Sequence, residues 1–338
     1  MCDLAERLSH FVNANLPGGM SANHLFHYTN LEVLRALLED DEDMYARHCS
    51  FCKGQGEILP GCSAVLDRLV QRRVFSRAQY RDAKCFIKEC VAHEDPIFAE
   101  QNAMVPYVTC FSYDSDSAFH WKNHTPSGCG CAMRFDRAAL DRCVRILQER
   151  FKRNSESCDA VMLLPCYYLD APNIAEYLDI FIDSNIEVFK SFSFDNDGYK
   201  SAITTIVLAS IMLKQPGFRD EREWRLVRWL SNARLNGQAE VRKQDGVVLQ
   251  MNKKQLRSDL IYAGLREVVF PFRDLIRGVR LSPSSVSKLN VVKCMFDACS
   301  IGYEIVSSRE LRRPETQYCL QLTMPEYGLN REDVIWQK

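Results

Sequence analysis

Several features are scarce or missing in this sequence. The longest strongly apolar run, Ile203 to Leu213, contains two threonines and a serine and is too short to span a bilayer. It reads as a buried helix, and no membrane partner is expected. Net charge is nearly absent: Lys+Arg 43 against Asp+Glu 44 leaves a formal -1 over 338 residues. That excludes the global basic field of a dedicated nucleic-acid binder, while a local basic groove stays compatible. Neither G-x-x-x-x-G-K-[ST] nor G-x-G-x-x-G occurs, and Gly128-Cys129-Gly130 is too short a fragment to stand in for either. P-loop and Rossmann enzymes drop out. Internal repeats and low-complexity stretches are also missing.

The start, Met1-Cys2-Asp3-Leu4-Ala5-Glu6-Arg7, has neither the charged nor the apolar region of a signal peptide. Cysteine is abundant, at fifteen residues. In a chain of this size without a secretory signal these are expected to be reduced thiols of a cytoplasmic protein. Only one C-x-x-C exists, Cys49 to Cys52, beside His48. Cys62, Cys85, Cys90, His93, Cys129 and Cys131 could complete a site, but a strong zinc signature needs a second pair at defined spacing. No structural zinc is expected. No local signature singles out a Cys and His pair for nucleophilic catalysis.

With 46% hydrophobic residues the chain can bury a large core. Helical spacing covers Asp3 to Asn15, stopped by Leu16-Pro17-Gly18-Gly19. Leu25 to Thr29 reads as a strand, followed by Asn30 as N-cap and a helix over Leu31 to Glu39. Asp40 to Gly61 reads as a loop, and two helical patterns fall between Ser63 and Glu100. Strands are expected at Val105 to Ser112, Ala132 to Phe135 and Ala160 to Leu169, with a helix over Arg137 to Lys152. Helices then cover Ile174 to Phe192 and Tyr199 to Leu213. Short strands follow at Gly246 to Met251, Glu267 to Phe272, Leu275 to Leu281 and Tyr303 to Ser308, the last preceded by a helix over Ser284 to Cys299. Helices dominate the first two thirds and strands the last, which implies α+β with a mixed or antiparallel sheet.

The stretch richest in chemistry is Phe218 to Val227, directly after the turn signal Pro216-Gly217. As a strand it would place Glu221, Glu223 and Arg225 on one side about 7 Å apart pairwise, with Arg222, Trp224 and Leu226 on the other. As a helix it would align Trp224, Val227 and Leu230 and separate the glutamates. Two carboxylates on one edge suit stabilisation of positive charge better than glycoside hydrolysis, which needs them across a substrate. The further polar elements are His27-Tyr28-Thr29 at the end of the first strand and Phe111-Ser112 at the end of a middle one.

That order resembles the ADP-ribosyltransferase superfamily, in which a first strand supplies His or Arg, a middle strand Ser or Tyr, and a late strand the catalytic Glu, often within E-x-E. More closely, the chain is similar to a bacterial family of unknown function with His-Tyr-Thr, a Ser-Phe-Ser-like strand followed by Asp, Trp and Gly, then Phe-x-x-Glu-x-Glu-Trp-Arg. The matching residues are His27, Tyr28 and Thr29; Phe111 and Ser112 with Asp116, Trp121, Gly128 and Phe135; and Phe218, Glu221, Glu223, Trp224 and Arg225. Cys110 stands where that family often has Ser, and the Ser-Thr-Ser triplet of arginine-specific transferases is missing.

The resemblance implies a single catalytic domain over residues 1–338, with a split mixed or antiparallel sheet core and a helical insertion at 58–100. It implies NAD as co-substrate and a mono-ADP-ribosyltransferase of toxin or phage-defence type. The acceptor would be a protein or nucleic acid, with an antitoxin or other inhibitory partner. Glu223 would stabilise the oxocarbenium-like transition state, and Glu221 would position or deprotonate the acceptor. His27 would hydrogen-bond a ribose of NAD, with Thr29 supporting the same strand end; Ser112 would orient Glu223 or the nicotinamide ribose, and Tyr28, Tyr113 or Trp121 would stack on nicotinamide. Arg225 or Arg222 would pair with a phosphate. Hydrolysis of NAD and a non-catalytic ligand-sensing module are the alternatives.

Overall fold

The computed structural model describes residues 2–15, 23–39, 47–48, 58–92, 104–125, 130–153, 160–194, 198–231, 275–298, 304–307 and 318–321. The expected strands at 246–251 and 267–272 lie outside these residues. In chain order the first elements are α1 (Cys2–Asn15), β1 (His24–Thr29), α2 (Leu31–Glu39), β2 (Arg47–His48), α3 (Ile58–Gln71) and α4 (Arg77–Ala92). Then come β3 (Met104–Ser112), α5 (Ala118–Asn123), β4 (Cys131–Asp136), α6 (Arg137–Arg153), β5 (Ala160–Pro165) and β6 (Tyr167–Tyr168). After α7 (Ile174–Ser184), α8 (Ile186–Lys190), α9 (Gly198–Ile211) and β7 (Leu213–Lys214), a 3-10 helix (Pro216–Glu221) leads into β8 (Glu223–Ser231). The last described elements are β9 (Ile276–Leu281), a 3-10 helix (Pro283–Lys288), α10 (Leu289–Ala298), β10 (Glu304–Ser307) and β11 (Tyr318–Gln321). The class is α+β with mostly antiparallel strand pairing.

Local chemistry sets several boundaries. The Asn30 side-chain oxygen accepts the Val33 amide at 2.7 Å, and Asp136 accepts that of Ala139 at 2.7 Å, each satisfying an orphan donor of a helix start. The single helix expected over Ile174 to Phe192 divides at Asn185, whose backbone leaves helical geometry at φ -127 and ψ 21. Its side-chain amide donates to the Phe181 carbonyl at 2.8 Å, the local competition that makes Asn a poor interior helix residue. The helix expected over Ser284 to Cys299 starts as a 3-10 segment at Pro283 and becomes α only at Leu289.

The chain forms two compact units, each assembled from three stretches. One comprises Met1–Ala22, Tyr45–Tyr113 and Leu140–Phe270; the other comprises Asn23–Met44, Asp114–Ala139 and Pro271–Lys338. In the first unit β5, β8, β3 and β2 pair antiparallel in that order, and β6 pairs parallel with β7. Its core joins α1, α3, α4, α7, α8 and α9 to the face of the sheet that carries Val108, Met162, Leu164 and Val227. The helices α3 and α4 thus contribute Val65, Leu66, Leu69, Ala83 and Ile87 to that core. As expected from its apolar run, α9 is buried over most of its length. Each aliphatic side chain removed from water there stabilises the fold by roughly 1.5–3 kcal/mol before the entropy of ordering is charged against it.

In the second unit β1, β4, β9, β11 and β10 pair antiparallel in that order. Register puts Leu25, His27, Thr29, Met133, Phe135, Val279 and Leu281 on one face and Phe26, Tyr28, Ala132, Arg134, Gly278 and Arg280 on the other. Here α2 packs on α10. Arg277 is the extra residue at a bulge between the rows of Arg134 and Phe135. Among the described residues no helix is long and apolar enough to cross a membrane.

Candidate functional site

The stretch Phe218 to Val227 is not one strand. Pro216 starts a 3-10 turn that ends at Glu221, Arg222 takes a left-handed conformation at φ 44, and β8 begins only at Glu223. A non-glycine residue there costs about 1–2 kcal/mol. The turn is held by the Tyr113 amide, which donates to the Arg222 carbonyl at 3.2 Å, and the Arg222 guanidinium lies over the Tyr113 ring at 5.3 Å. A second tie is the Ser112 hydroxyl, which donates to the Glu221 carbonyl at 2.9 Å. The reversal at Arg222 brings Glu221 back beside Glu223, as an extended strand would not.

The pairing of β3 with β8 sets Ser112 directly opposite Glu223 and Cys110 opposite Arg225. These side chains share the face that β5 extends with Leu164. Into that face enters a residue the sequence patterns do not flag, Lys214 of β7. Its ammonium contacts the carboxylates of both Glu221 and Glu223 and lies 5.2 Å from the centre of the Phe218 ring. Arg225 grips Glu223 with two bonds, Nε to Oε1 at 2.8 Å and Nη2 to Oε2 at 3.2 Å. Its Nη1 donates to the carbonyl of Ile211, the last residue of α9, where the helix presents its negative end. Lys214 is 2% exposed, Arg225 3%, and Glu221 and Glu223 5% each, so the four charges are held out of water together.

Burial by itself would raise the Glu223 pKa. The charge of Arg225, then that of Lys214, the Arg225 hydrogen bonds and a hydrogen bond from the Cys110 side chain outweigh it and hold the carboxyl well below its usual range. Burial opposes the charge of Lys214 as well, but Glu223 and Glu221 hold it protonated and its pKa lies above normal. Cys166, whose amide donates to the Glu223 carbonyl at 2.8 Å, has its thiol pushed up chiefly by burial and is not a ready nucleophile. The cluster is therefore Glu223 kept ionised between Arg225 and Lys214, with the Glu221 carboxylate also in contact with Lys214, in a dry setting where electrostatic interactions are strong.

The first unit thus brings together Ser112, Tyr113, Glu221, Glu223 and Arg225. The remaining candidates for binding NAD, His27, Tyr28, Thr29 and Trp121, belong to the second unit. His27 projects from β1 on the face of Leu25 and Met133 and is half-buried; Thr29 shares that face and is buried. Tyr28 projects to the opposite face. Its hydroxyl donates to the Asp114 carbonyl at 2.8 Å and accepts the Ser117 amide at 3.1 Å, and burial raises its pKa. Its ring stacks on His120 at 4.6 Å and meets Trp121 edge-on at 4.6 Å. The Trp121 indole donates to Asp116 at 2.8 Å. Tyr28 and Trp121 are 8% and 7% exposed, so neither offers an open ring face in this state.

Among the described residues no group of three or more His, Cys, Asp or Glu side chains could hold a metal ion. No protein-family model, curated protein or solved structure matches the chain.

Proposed function

We propose that the protein is an NAD-dependent mono-ADP-ribosyltransferase of toxin or phage-defence type, with an ADP-ribosyltransferase-like sheet core and a protein or nucleic acid as acceptor. The supporting observation is the register that sets Ser112 opposite Glu223 at adjoining ends of β3 and β8, with Glu221 turned back beside them. The serine of a middle strand and the E-x-E of a late strand meet, as the resemblance requires. In this reading Glu223 stabilises the oxocarbenium-like ribose as nicotinamide departs, and Arg225 keeps it ionised and aimed. Glu221 orients or deprotonates the acceptor. Lys214 neutralises both carboxylates, so engagement of NAD requires its ammonium to withdraw from Glu223. Labelled NAD incubated with cell extract should give labelled macromolecules with the wild type and none with Glu223→Gln. Equal transfer by that variant would overturn the assignment, and free ADP-ribose without labelled macromolecule would assign hydrolysis instead.

A second reading is favoured by the complete engagement of Glu223: a non-catalytic ligand-sensing module built on the same sheet. Calorimetry with NAD separates the two, because saturable binding without turnover supports the module and turnover excludes it.

A further inference from the structure

The helix α4 carries a concentration of charge that the candidate site does not use. From Arg73 to Lys88 the chain has five basic residues and one acidic one, Asp82, in a molecule whose formal charge is -1. Four of the five, Arg77, Arg81, Lys84 and Lys88, stand at i, i+4, i+7 and i+11, so they share one face of α4. The opposite side is fixed in the core by Ala83 and Ile87, and Phe86 meets Tyr199 edge-on at 5.3 Å. The stripe therefore points outward. Arg77, Arg81 and Lys88 are exposed, as is Arg73 just before the helix. Lys84 is half-buried, donates to the Tyr80 hydroxyl at 3.0 Å and has Asp67 of α3 in electrostatic reach.

Helix stability does not account for this placement. Cations at i, i+3 and i, i+4 repel one another, and Arg77 stands at the positive end of the helix dipole in a first turn without an acidic residue. The start is set instead by Ser76 and Gln79, whose side chains each accept the other's backbone amide, at 3.2 and 2.9 Å. Arg68 and Arg72 show the contrast: facing α7, they pair with Asp179 and Asp183. A solvated helix face ordinarily mixes both signs. One sign in a straight row fits a partner with the opposite sign in a row.

At 1.5 Å per residue the stripe is about 16 Å long, which spans about five phosphates of one duplex strand at roughly 3.4 Å each. The arginine fork matches phosphate oxygens. A membrane-binding helix would instead combine its basic residues with large exposed apolar ones. Among the described residues those are Ile146, Phe194 and Val291, none of them on α4. A single strand would call for open rings on which bases stack, but Tyr80, beside the stripe, is engaged by Lys84, whose ammonium lies 5.2 Å from its centre.

We propose that Arg77, Arg81, Lys84 and Lys88 form a docking surface for the phosphate backbone of a nucleic-acid duplex, bound without regard to base sequence. The surface stands whether or not the chain acts on NAD, because its probe contains neither nicotinamide nor ADP-ribose and no turnover is read.

The test is fluorescence anisotropy of a labelled DNA duplex of about 20 base pairs, titrated with the full chain at roughly 50–200 mM salt. Saturable binding is expected, with log affinity falling against log salt at a slope of about -2.7 to -3.6, the value for three or four phosphates. Arg77→Gln, Arg81→Gln and Lys88→Gln combined, all at exposed positions and helix-compatible, should weaken binding about tenfold or more at the lower salt and flatten the slope by about 2 to 3. A control with Arg142→Gln and Arg145→Gln, exposed on α6, should bind within about twofold of the wild type. No saturable binding by the wild type, an undiminished triple variant or an equal loss in the control would overturn the surface. Tighter binding of the single strand, or of anionic lipid vesicles, would overturn it too, since each names a different occupant. If the triple variant fails to fold, Arg81→Gln alone decides: a slope shallower by about 1 supports the surface, and an unchanged slope refutes it.

Discussion

At the scale of single residues, the fate of Glu223 depends on a neighbour nine positions upstream. Lys214 contacts both glutamates from a site almost closed to water, so its removal takes a buried counter-charge from both carboxylates at once. Breaking a buried pair by deleting one partner costs about 3–5 kcal/mol, far more than a surface pair at about 0–1 kcal/mol. Lys214→Met should therefore lower stability to urea by an amount in the first range, and adding Glu221→Gln should restore part of it. A loss within the surface range would mean the cluster is wetter than its burial implies. The pH dependence follows from the same contacts. The folded-state pKa of Glu223 is depressed, so its stabilisation is full above the ordinary value of 4.5 and is lost as the pH falls from there toward the folded value. That of Lys214 is raised, so its contribution is full below 10.5 and is lost only as the pH rises beyond that toward the folded value. Urea midpoints should then be flat with respect to these two groups between these limits and fall on the acid side. In Glu223→Gln the acid slope should be shallower; an unchanged slope would show that other carboxyls set it.

At the scale of elements, much was legible in advance because the signals are local. Asn30 announces α2, the spacing of Leu4, Leu8 and Phe11 announces α1, and the β-branched and aromatic run at Val105 announces β3. The boundary within Phe218 to Val227 was not, because alternation cannot foresee a left-handed Arg222 held by contacts with Tyr113 and Ser112, more than a hundred positions away. Lys214 was hidden for a similar reason: a lysine after an apolar run ordinarily reaches for water, and only the fold aims it inward. Close helix packing is equally silent in sequence. A Cβ added to Gly61 of α3 would stand 2.8 Å from the Ser210 Cβ and 2.9 Å from the Ser210 carbonyl oxygen of α9. Alanine gains about 0.8–1 kcal/mol of helix propensity, against about 1–3 kcal/mol for overpacking. Gly61→Ala should thus be net destabilising by up to about 2 kcal/mol in urea melts, and a gain in stability would show that the two helices can part without cost.

At the scale of the whole molecule, each unit draws on three separated stretches, so most pairings that define the sheets are long-range and no short segment carries one complete. That is why the α+β class could be anticipated while the pairing of β9 with β4 could not. The same scale governs the thiols. Fifteen cysteines in one chain would be a liability if they were uniformly reactive. Among those described, Cys62, Cys131 and Cys166 are buried, whereas Cys85 and Cys294 are exposed. Burial pushes the pKa of Cys62 and of Cys131 up to about 12, and that of half-buried Cys143 up to about 11. Since the thiolate is the reacting form, iodoacetamide at pH 8 should modify Cys85 and Cys294 rapidly in the native protein and leave Cys62, Cys131 and Cys166 unmodified until urea is added. Peptide mapping by mass spectrometry reads each position separately. Native labelling of Cys62 at the rate of Cys85 would refute the packing of α3 against α9, because that thiol can reach reagent only if the two helices separate.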